Sequence, residues 1–301
     1  MKLVISGFNG FVSQSIFNYL KTNGIHAPKV IFLTSDIKNI QIQEPFLIDR
    51  IENFFDINST KFSDTDVYIH ACSSPRSRGI LRLQDNLNIL KKALHACEQN
   101  NIKKFIYLSS GAVYADSDKN KSESDSIQCI EKANNDYIKS KLISEKHIIN
   151  FCLEKNISYN ILRLFTFAGK DIVKRKEFAI SDFIKSACEN KIIKLSNPFL
   201  IRSYLHQDDL AAMILKLSLI NYWQNDIINI GSPHAISLLD VAKEIADISG
   251  SKVLWSEEAS RKPENINFYV PNMDKFLLKK MIRFKTLDIM VSEMIHAYEL
   301  T

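Results

Sequence analysis

The chain has 301 residues, 46% of them hydrophobic and 24% charged, with a formal net charge of +5. A disordered chain would be poorer in Ile, Leu and Phe, and the spread of Lys and Arg along the sequence argues against a nucleic-acid footprint; the mild positive balance suits an anionic small molecule such as a nucleotide diphosphate. No apolar run approaches the ~18 residues of a membrane helix, and the five cysteines, odd in number and without CxxC spacing, point to buried thiols in a reducing cytoplasm rather than to disulfides or a metal site.

In chain order, Leu3-Val4-Ile5 reads as a buried parallel strand that ends at Gly7. Apolar residues at 12, 16, 17 and 20 give the segment Phe11–Lys21 a helical spacing, stopped at Asn23-Gly24. Val30–Leu33, Val67–Ala71 and Phe105–Leu108 are strand-like runs, with a helix over Leu87–Cys97 between the last two. Residues 116–133 are polar and charged and predict a surface loop. A long helix over Asp136–Leu153 and a strand at Tyr159–Leu162 follow. This alternation predicts a doubly wound parallel sheet, an α/β fold, over residues 1–165. Residues 166–301 are less regular: helices at 180–188, 210–217, 238–248 and 287–300, and strands at 227–230 and 252–255, make a smaller α/β region with segments that return to the first.

The first strand runs into Gly7-Phe8-Asn9-Gly10-Phe11-Val12-Ser13. A glycine turn between a strand and a helix lets backbone N–H groups approach a pyrophosphate at the helix N-terminus. Ser13 stands where a third glycine would serve close helix–sheet packing. An acidic residue at the end of the second strand commonly binds the cofactor ribose. Asp36 fills that place if the strand runs long, Thr34 and Ser35 if it stops at Leu33. Their hydroxyls tolerate a 2′-phosphate better than a carboxylate does, so NAD and NADP both stay open, with a lean to NADP.

Tyr137 and Lys141 are four apart on a predicted helix and share a face. An ordinary tyrosine, with a pKa near ~10, is poorly matched to proton transfer at neutral pH. A neighbouring ammonium favours the phenolate, so the pair suits proton exchange with an alcohol or ketone. Ser110 lies at the C-terminal end of a predicted parallel strand, the edge where open α/β sheets bind ligands.

These segments together resemble the extended short-chain dehydrogenase/reductases of the NAD-dependent epimerase/dehydratase group, over nearly the whole chain. Ser6–Val12 is similar to their TGxxGFxG turn, Asp66–Cys72 to the strand that runs under the cofactor, Leu108–Tyr114 to SSxxVYG, and Tyr137 and Lys141 to YxxxK, followed by Glu145. Leu162–Gly169 resembles LRxFNxxG, with Thr166 in place of the asparagine; Arg202–Leu210 resembles RDxIHVxDL; Asn229–Ser232 resembles NxGs; Arg261–Asn265 resembles RPGD. The resemblance implies a Rossmann-type domain and catalysis by Tyr137, Lys141 and Ser110. It implies cofactor contacts from Gly7, Asn9, Gly10, Phe11, Val12, Thr34, Ser35, Asp36, His70, Ala71, Cys72, Asn86, Ser109, Tyr137 and Lys141, with Asp49 after the third strand meeting the adenine. Substrate contacts are implied for Ser73, Ser110, Gly111, Tyr137 and Thr166, and diphosphate contacts for Arg202 and Lys262. A nucleotide-sugar substrate, a homodimer through the helices near 87–99 and 137–152, a cytoplasmic location and a polysaccharide pathway belong to the same implication.

The group's 4,6-dehydratases carry an Asp-Glu pair after the strand-end Ser/Thr. Gly111 and Ala112 occupy those positions and cannot move protons, which disfavours dehydration. A 4-ketoreductase and a 4-epimerase remain. Thr34-Ser35 and Thr166 lean the reading to the reductase. A cofactor-sensing regulator on the same fold is a third reading, which retention of both Tyr137 and Lys141 opposes.

Overall fold

A computed structural model of the chain describes residues 1–23, 29–34, 48–53 (as backbone), 64–73, 83–133, 135–173, 175, 178–220, 224–255, 267–277 and 284–300. In chain order the elements are β1 Lys2–Ser6, α1 Phe11–Asn23, β2 Lys29–Thr34, β3 Ile48–Asn53, β4 Val67–His70, α2 Leu83–Gln99, β5 Lys104–Ser110, α3 Asp136–Glu154 and β6 Ser158–Leu164. Then come β7 Phe167–Ala168, α4 Ala179–Asn190, β8 Ile192–Leu195, β9 Ile201–Arg202, β10 Leu205–His206, α5 Gln207–Ser218 and β11 Asp226–Ile230. The last are β12 Ile236–Ser237, α6 Leu238–Ser249, β13 Lys252–Trp255, β14 Phe268–Tyr269, α7 Asp274–Leu277 and α8 Leu287–Glu299.

Two compact units emerge, one of residues 1–113, 126–163 and 211–228, the other of 114–125, 164–210 and 229–301. The first is built on a seven-stranded sheet ordered β11-β6-β5-β4-β1-β2-β3. The pairings β4–β5, β1–β4, β1–β2 and β2–β3 are parallel. That is a doubly wound, Rossmann-type order, and its switch point lies between β1 and β4, where such sheets bind ligands. The strands read as continuous apolar runs because both faces are covered. On one face Val4, Ile31, Tyr68, Phe105 and Ile161 pack with Leu90, Leu94 and Cys97 of α2 and Ile148 and Cys152 of α3. Elsewhere in the unit the Phe32 ring lies 5.0 Å from Phe8 and 6.0 Å from Phe17 of α1.

The second unit groups α4, α6 and α8 with the parallel β8–β13 pair. It also holds the parallel β7–β10 pair and the small sheet β12-β9-β14. His206 is buried in it and bonds Glu293 through Nε2 at 2.8 Å. Among the described residues no helix is long and apolar enough to cross a membrane. All five cysteines are free thiols.

Two sequence expectations change. Asp49 does not follow the third strand: it is the second residue of β3, which continues in parallel register to the Thr34–Asn53 pair. The position after the strand therefore falls beyond Asn53, outside the described residues. The stretch 116–133 is not simply a surface loop. Lys121 is 3% exposed, its Nζ donates to the Ala115 carbonyl and to Ser117 Oγ, each at 2.7 Å, and its backbone bridges to Pro271. A buried ammonium is tolerated because those acceptors replace water.

Candidate active site

The turn after β1 is fixed by backbone hydrogen bonds. The N–H groups of Gly7 and Phe8 donate to the Leu33 carbonyl at 2.9 and 3.0 Å, and Gly10 N–H donates to the Gly7 carbonyl at 2.8 Å. Gly7 has φ +82°, and a Cβ there would lie 2.8 Å from the Ala71 oxygen and 3.0 Å from Cys72 Cα. Glycine alone lets the chain turn this close to the end of β4. Asn9 is exposed at the tip, and α1 begins at Phe11 beside half-buried Val12. Ser13 fits without a third glycine because its hydroxyl donates to the Ser6 carbonyl at 3.1 Å. The result is a backbone cradle at a helix N-terminus that suits the pyrophosphate of a dinucleotide. β2 ends at Thr34, which is buried; Ser35 and Asp36 lie outside the described residues.

The N-terminus of α3 is capped by Asn135, whose side chain accepts from Ile138 N–H at 2.9 Å. One turn of helix then brings Tyr137 and Lys141 into one small pocket. The pocket is also lined by His70, Cys72, Ser73, Asn86 and Tyr107. Six residues expected at a cofactor or substrate are thus brought together, and Tyr107 was not among them.

Lys141 is 8% exposed. Its Nζ donates to the Leu108 carbonyl at 2.6 Å and lies 4.8 Å from the Tyr107 ring centroid and 5.8 Å from that of Tyr137. Burial alone would depress its pKa, but Tyr107, Tyr137 and Glu145 outweigh burial and hold it above the ordinary lysine value. The ammonium therefore keeps its proton at neutral pH. His70 is the converse. Burial first, and the Lys141 charge second, bring its pKa down from 6.5 to about 3, so its imidazole is neutral. Its Nδ1 pairs with Ser6 Oγ at 3.2 Å. Burial likewise pushes the Cys72 thiol up to about 11, Lys141 opposing it, so this thiol is protonated.

Ser110 ends β5, is 7% exposed, and its Oγ accepts from Ala112 N–H at 3.2 Å. It does not line the pocket. Gly111 and Ala112 follow in a short 3-10 turn over Gly111–Val113, and Ala112 and Tyr137 pack on the same small cluster of Val113, Ala133, Ile138 and Leu142. Ser109 points elsewhere: its hydroxyl donates to Glu145 Oε1 at 2.5 Å. Glu145 in turn holds Arg163 through Nε at 3.1 Å and a terminal nitrogen at 2.7 Å. Both members of this pair are buried. The sequence showed Glu145 and Arg163 as parts of motifs, yet nothing in their spacing announced that they meet.

In the second unit Arg202 ends β9. One terminal nitrogen donates to the Ile201 carbonyl at 2.7 Å and to the Asn267 side-chain oxygen at 2.9 Å, and the guanidinium lies 5.9 Å from the Tyr269 ring centroid. Burial lowers its pKa from the ordinary arginine value, against the opposing effect of Tyr204 and Tyr269. Thr166 is half-buried and its carbonyl accepts from Leu205 N–H at 3.1 Å. Lys262 lies outside the described residues. No cluster of metal-binding side chains occurs among the described residues.

The sequence profile of the NAD dependent epimerase/dehydratase family matches residues 3–231. An uncharacterized UDP-glucose epimerase of Bacillus subtilis (strain 168) is 25% identical over 289 residues, spanning 88% of each chain. A dTDP-D-glucose 4,6-dehydratase of Dictyostelium discoideum is 26% identical over 281 residues, 82% of this chain and 62% of its own. Among solved structures, a UDP-glucuronic acid 4-epimerase from Bacillus cereus, in complex with UDP-glucuronic acid and NAD, superposes with a TM-score of 0.80 at 21% identity over 100% of both chains. A UDP-N-acetylglucosamine 4-epimerase from Methanobrevibacter ruminantium M1 gives a TM-score of 0.81 at 18% identity over 99% and 98% of the two chains.

Proposed function

The chain belongs to the NAD-dependent epimerase/dehydratase family, and on that premise we propose that it is a 4-epimerase of a UDP-linked hexose that keeps its NAD bound. The carrying observation is the placement of Tyr137 and Lys141 in one pocket while Gly111 and Ala112 follow Ser110. The pocket has a proton-exchanging pair, and the positions that bear carboxyls in the dehydratases are inert. The named activities of the epimerase relatives support this reading over the reductase one.

The Gly7 cradle, which a Cβ would fill, fits a dinucleotide pyrophosphate. Gly7, Asn9, Gly10, Phe11 and Val12 would hold it, with Thr34, His70, Ala71, Cys72 and Asn86 along its length. Bound NAD supplies a reversible hydride acceptor for the sugar carbon. The Tyr137 phenol oxygen exchanges the proton of the 4-hydroxyl, taking it in one direction and returning it in the other. Lys141 keeps a fixed positive charge 5.8 Å from the Tyr137 ring centroid, on the side where negative charge develops as the proton moves. Ser110, at the end of β5 and outside the lining of that pocket, is the candidate second donor to the same sugar oxygen. Arg202, joined by Lys262, binds the diphosphate through its planar donors. With NAD bound, 4-epimerisation would require room for the sugar to present either face to the cofactor. The small side chains at Gly111 and Ala112 suit that turnover, because they make few contacts with a ring.

A 4-ketoreductase using NADPH is the second reading, favoured by the end of β2 at Thr34 rather than at a carboxylate. A two-fold homodimer through α2 and α3 belongs to either reading, and Leu153 of α3, 57% exposed, would be covered by it. The deciding experiment is mass spectrometry of nucleotide released from the purified, denatured protein, beside UDP-glucose and UDP-glucuronate epimerisation assays without added cofactor. Near-stoichiometric NAD with epimerisation supports the proposal. An empty protein that binds NADPH tightly replaces it with the reductase. Neither nucleotide retained nor bound overturns both. Loss of epimerisation in Tyr137→Phe, with NAD still retained, ties the chemistry to this hydroxyl.

A further inference from the structure

The pocket contains a second tyrosine that sequence motifs did not single out. Tyr107 is 4% exposed and sits on β5, one residue before the carbonyl that Lys141 bonds. The Lys141 ammonium lies near two phenol rings, 4.8 Å from the Tyr107 centroid and 5.8 Å from that of Tyr137. The nearer ring belongs to the residue without an assigned role. Tyr107 is itself held. Its ring stacks on His70 at 5.9 Å and 18°, His70 stacks on Phe105 at 6.1 Å, and Phe105 on Tyr68 at 5.6 Å. The column is anchored at His70 by Ser6.

We propose that Tyr107 is a positioning residue for Lys141, holding the ammonium by its ring face and hydroxyl at the distance from Tyr137 that the proton exchange needs. The proposal deepens the epimerase reading and rests on it only for the reaction, not for the placement of Lys141. A ring face attracts a desolvated cation electrostatically, and the face here is rigid because stacking fixes it. The groups that face Lys141 are Tyr107 from β5, Tyr137 and Glu145 from α3, and His70 and Cys72 from the end of β4. His70 and Cys72 are both uncharged at neutral pH for the reasons given above, so neither competes with the ammonium or neutralises it. Tyr107 does not move the substrate proton; Tyr137 does. Without Tyr107, Lys141 retains its bond to the Leu108 carbonyl but loses the surface that limits its swing.

Two variants separate the ring from the hydroxyl. Tyr107→Phe keeps the ring, and Tyr107→Leu removes both. Ionisation of Tyr137 is read by tyrosinate absorbance on the protein with its retained nucleotide, as the difference between each protein and its Tyr137→Phe partner. This signal needs no turnover. The expected result is a rise in the Tyr137 midpoint of roughly one pH unit in Tyr107→Leu, the size of a displaced neighbouring charge, with a smaller rise in Tyr107→Phe. If the enzyme epimerises, the acid limb of kcat moves by the same amount while KM for the UDP-sugar stays within about twofold. An unchanged midpoint in both folded variants overturns the proposal, as does a fall in kcat with no movement of the acid limb, which marks a merely structural role. Failure of the epimerase reading shows separately, as absence of product from the wild type, and leaves the absorbance result valid. Should Tyr107→Leu fail to fold, Tyr107→Phe decides alone, and a midpoint equal to the wild type counts against the proposal.

Discussion

Replacing His70 by phenylalanine should flatten the acid side of the stability curve. His70 is 2% exposed and its pKa in the fold is about 3, against 6.5 in the unfolded chain. Its folded value is depressed, so its contribution is fully present above pH 6.5 and is lost as pH falls from there towards about 3. Between pH 7 and pH 5 protonation of this histidine in the unfolded chain rises from about one-quarter to nearly complete while the native state refuses the proton, which costs about 2 kcal/mol over that interval. The figure barely depends on the folded value once that lies well below 5. In His70→Phe the ring can rejoin the stack of Tyr68, Phe105 and Tyr107, and the proton site is gone. Loss of the Ser6 partner lowers stability, by about 1–3 kcal/mol for a buried unsatisfied hydroxyl, but equally at every pH. Burial also lowers the His147 pKa, with Lys91 adding to it, and this effect is common to both proteins and cancels. The assay is urea unfolding followed by far-ultraviolet circular dichroism at pH 7, 6 and 5. The wild type should lose about 2 kcal/mol more than the variant between the end points. Parallel curves would mean that the folded protein protonates His70 readily and that the site carries a second cation beside Lys141.

Gly7→Ala should abolish nucleotide retention, because the Cβ meets the Ala71 oxygen at 2.8 Å; the positive φ adds a strain of about 1–3 kcal/mol, seen as a lowered Tm. Arg163→Leu should cost about 3–5 kcal/mol in denaturant unfolding by leaving Glu145 buried without its cation, whereas the double variant Arg163→Leu/Glu145→Leu should recover much of that loss; equal losses would refute an ion-pair origin. Arg202→Ala should raise KM for a UDP-sugar by about tenfold or more through loss of a charge-assisted pair, with kcat changed less; an unchanged KM would remove Arg202 from the diphosphate site.

Much of the first unit was legible because its strands are buried on both faces and read as plain apolar runs. Val4, Ile31, Ile69 and Ile106 each announce a strand locally, and Gly7 announces the turn that ends the first. The extent of β3 is illegible for the opposite reason: Ile48-Asp49-Arg50-Ile51-Glu52-Asn53 has three charges and no apolar run, as an edge strand paired on one side allows. The misplacement of Asp49 followed from that. The two-residue strands β7, β9, β10, β12 and β14 are set by tertiary pairing and leave no periodicity to read. Of the site, Tyr137 and Lys141 were legible from a fixed helical spacing. Tyr107, His70 and the Ser109–Glu145–Arg163 set were not legible as partners, because each meets its neighbours across strands or between sheet and helix. Lys121 looked like an ordinary solvated lysine in a charged stretch, and only its acceptors show otherwise.

The stacked rings also gauge strand register. Tyr68 pairs with Phe105 and His70 with Tyr107, while the intervening Ile69 and Ile106 face the other way. Side chains alternate along a strand, so a slip of one residue would place isoleucines against aromatics on both faces. It would also carry the Leu108 carbonyl about 3.3 Å along the sheet, away from the lysine that α3 delivers. A nascent sheet assembled out of step would therefore be compact yet lack the Lys141–Leu108 hydrogen bond. The aromatic column makes that misassembled state costly, so correct pairing of β4 with β5 is a precondition for the placement of Lys141 beside Tyr107 and Tyr137.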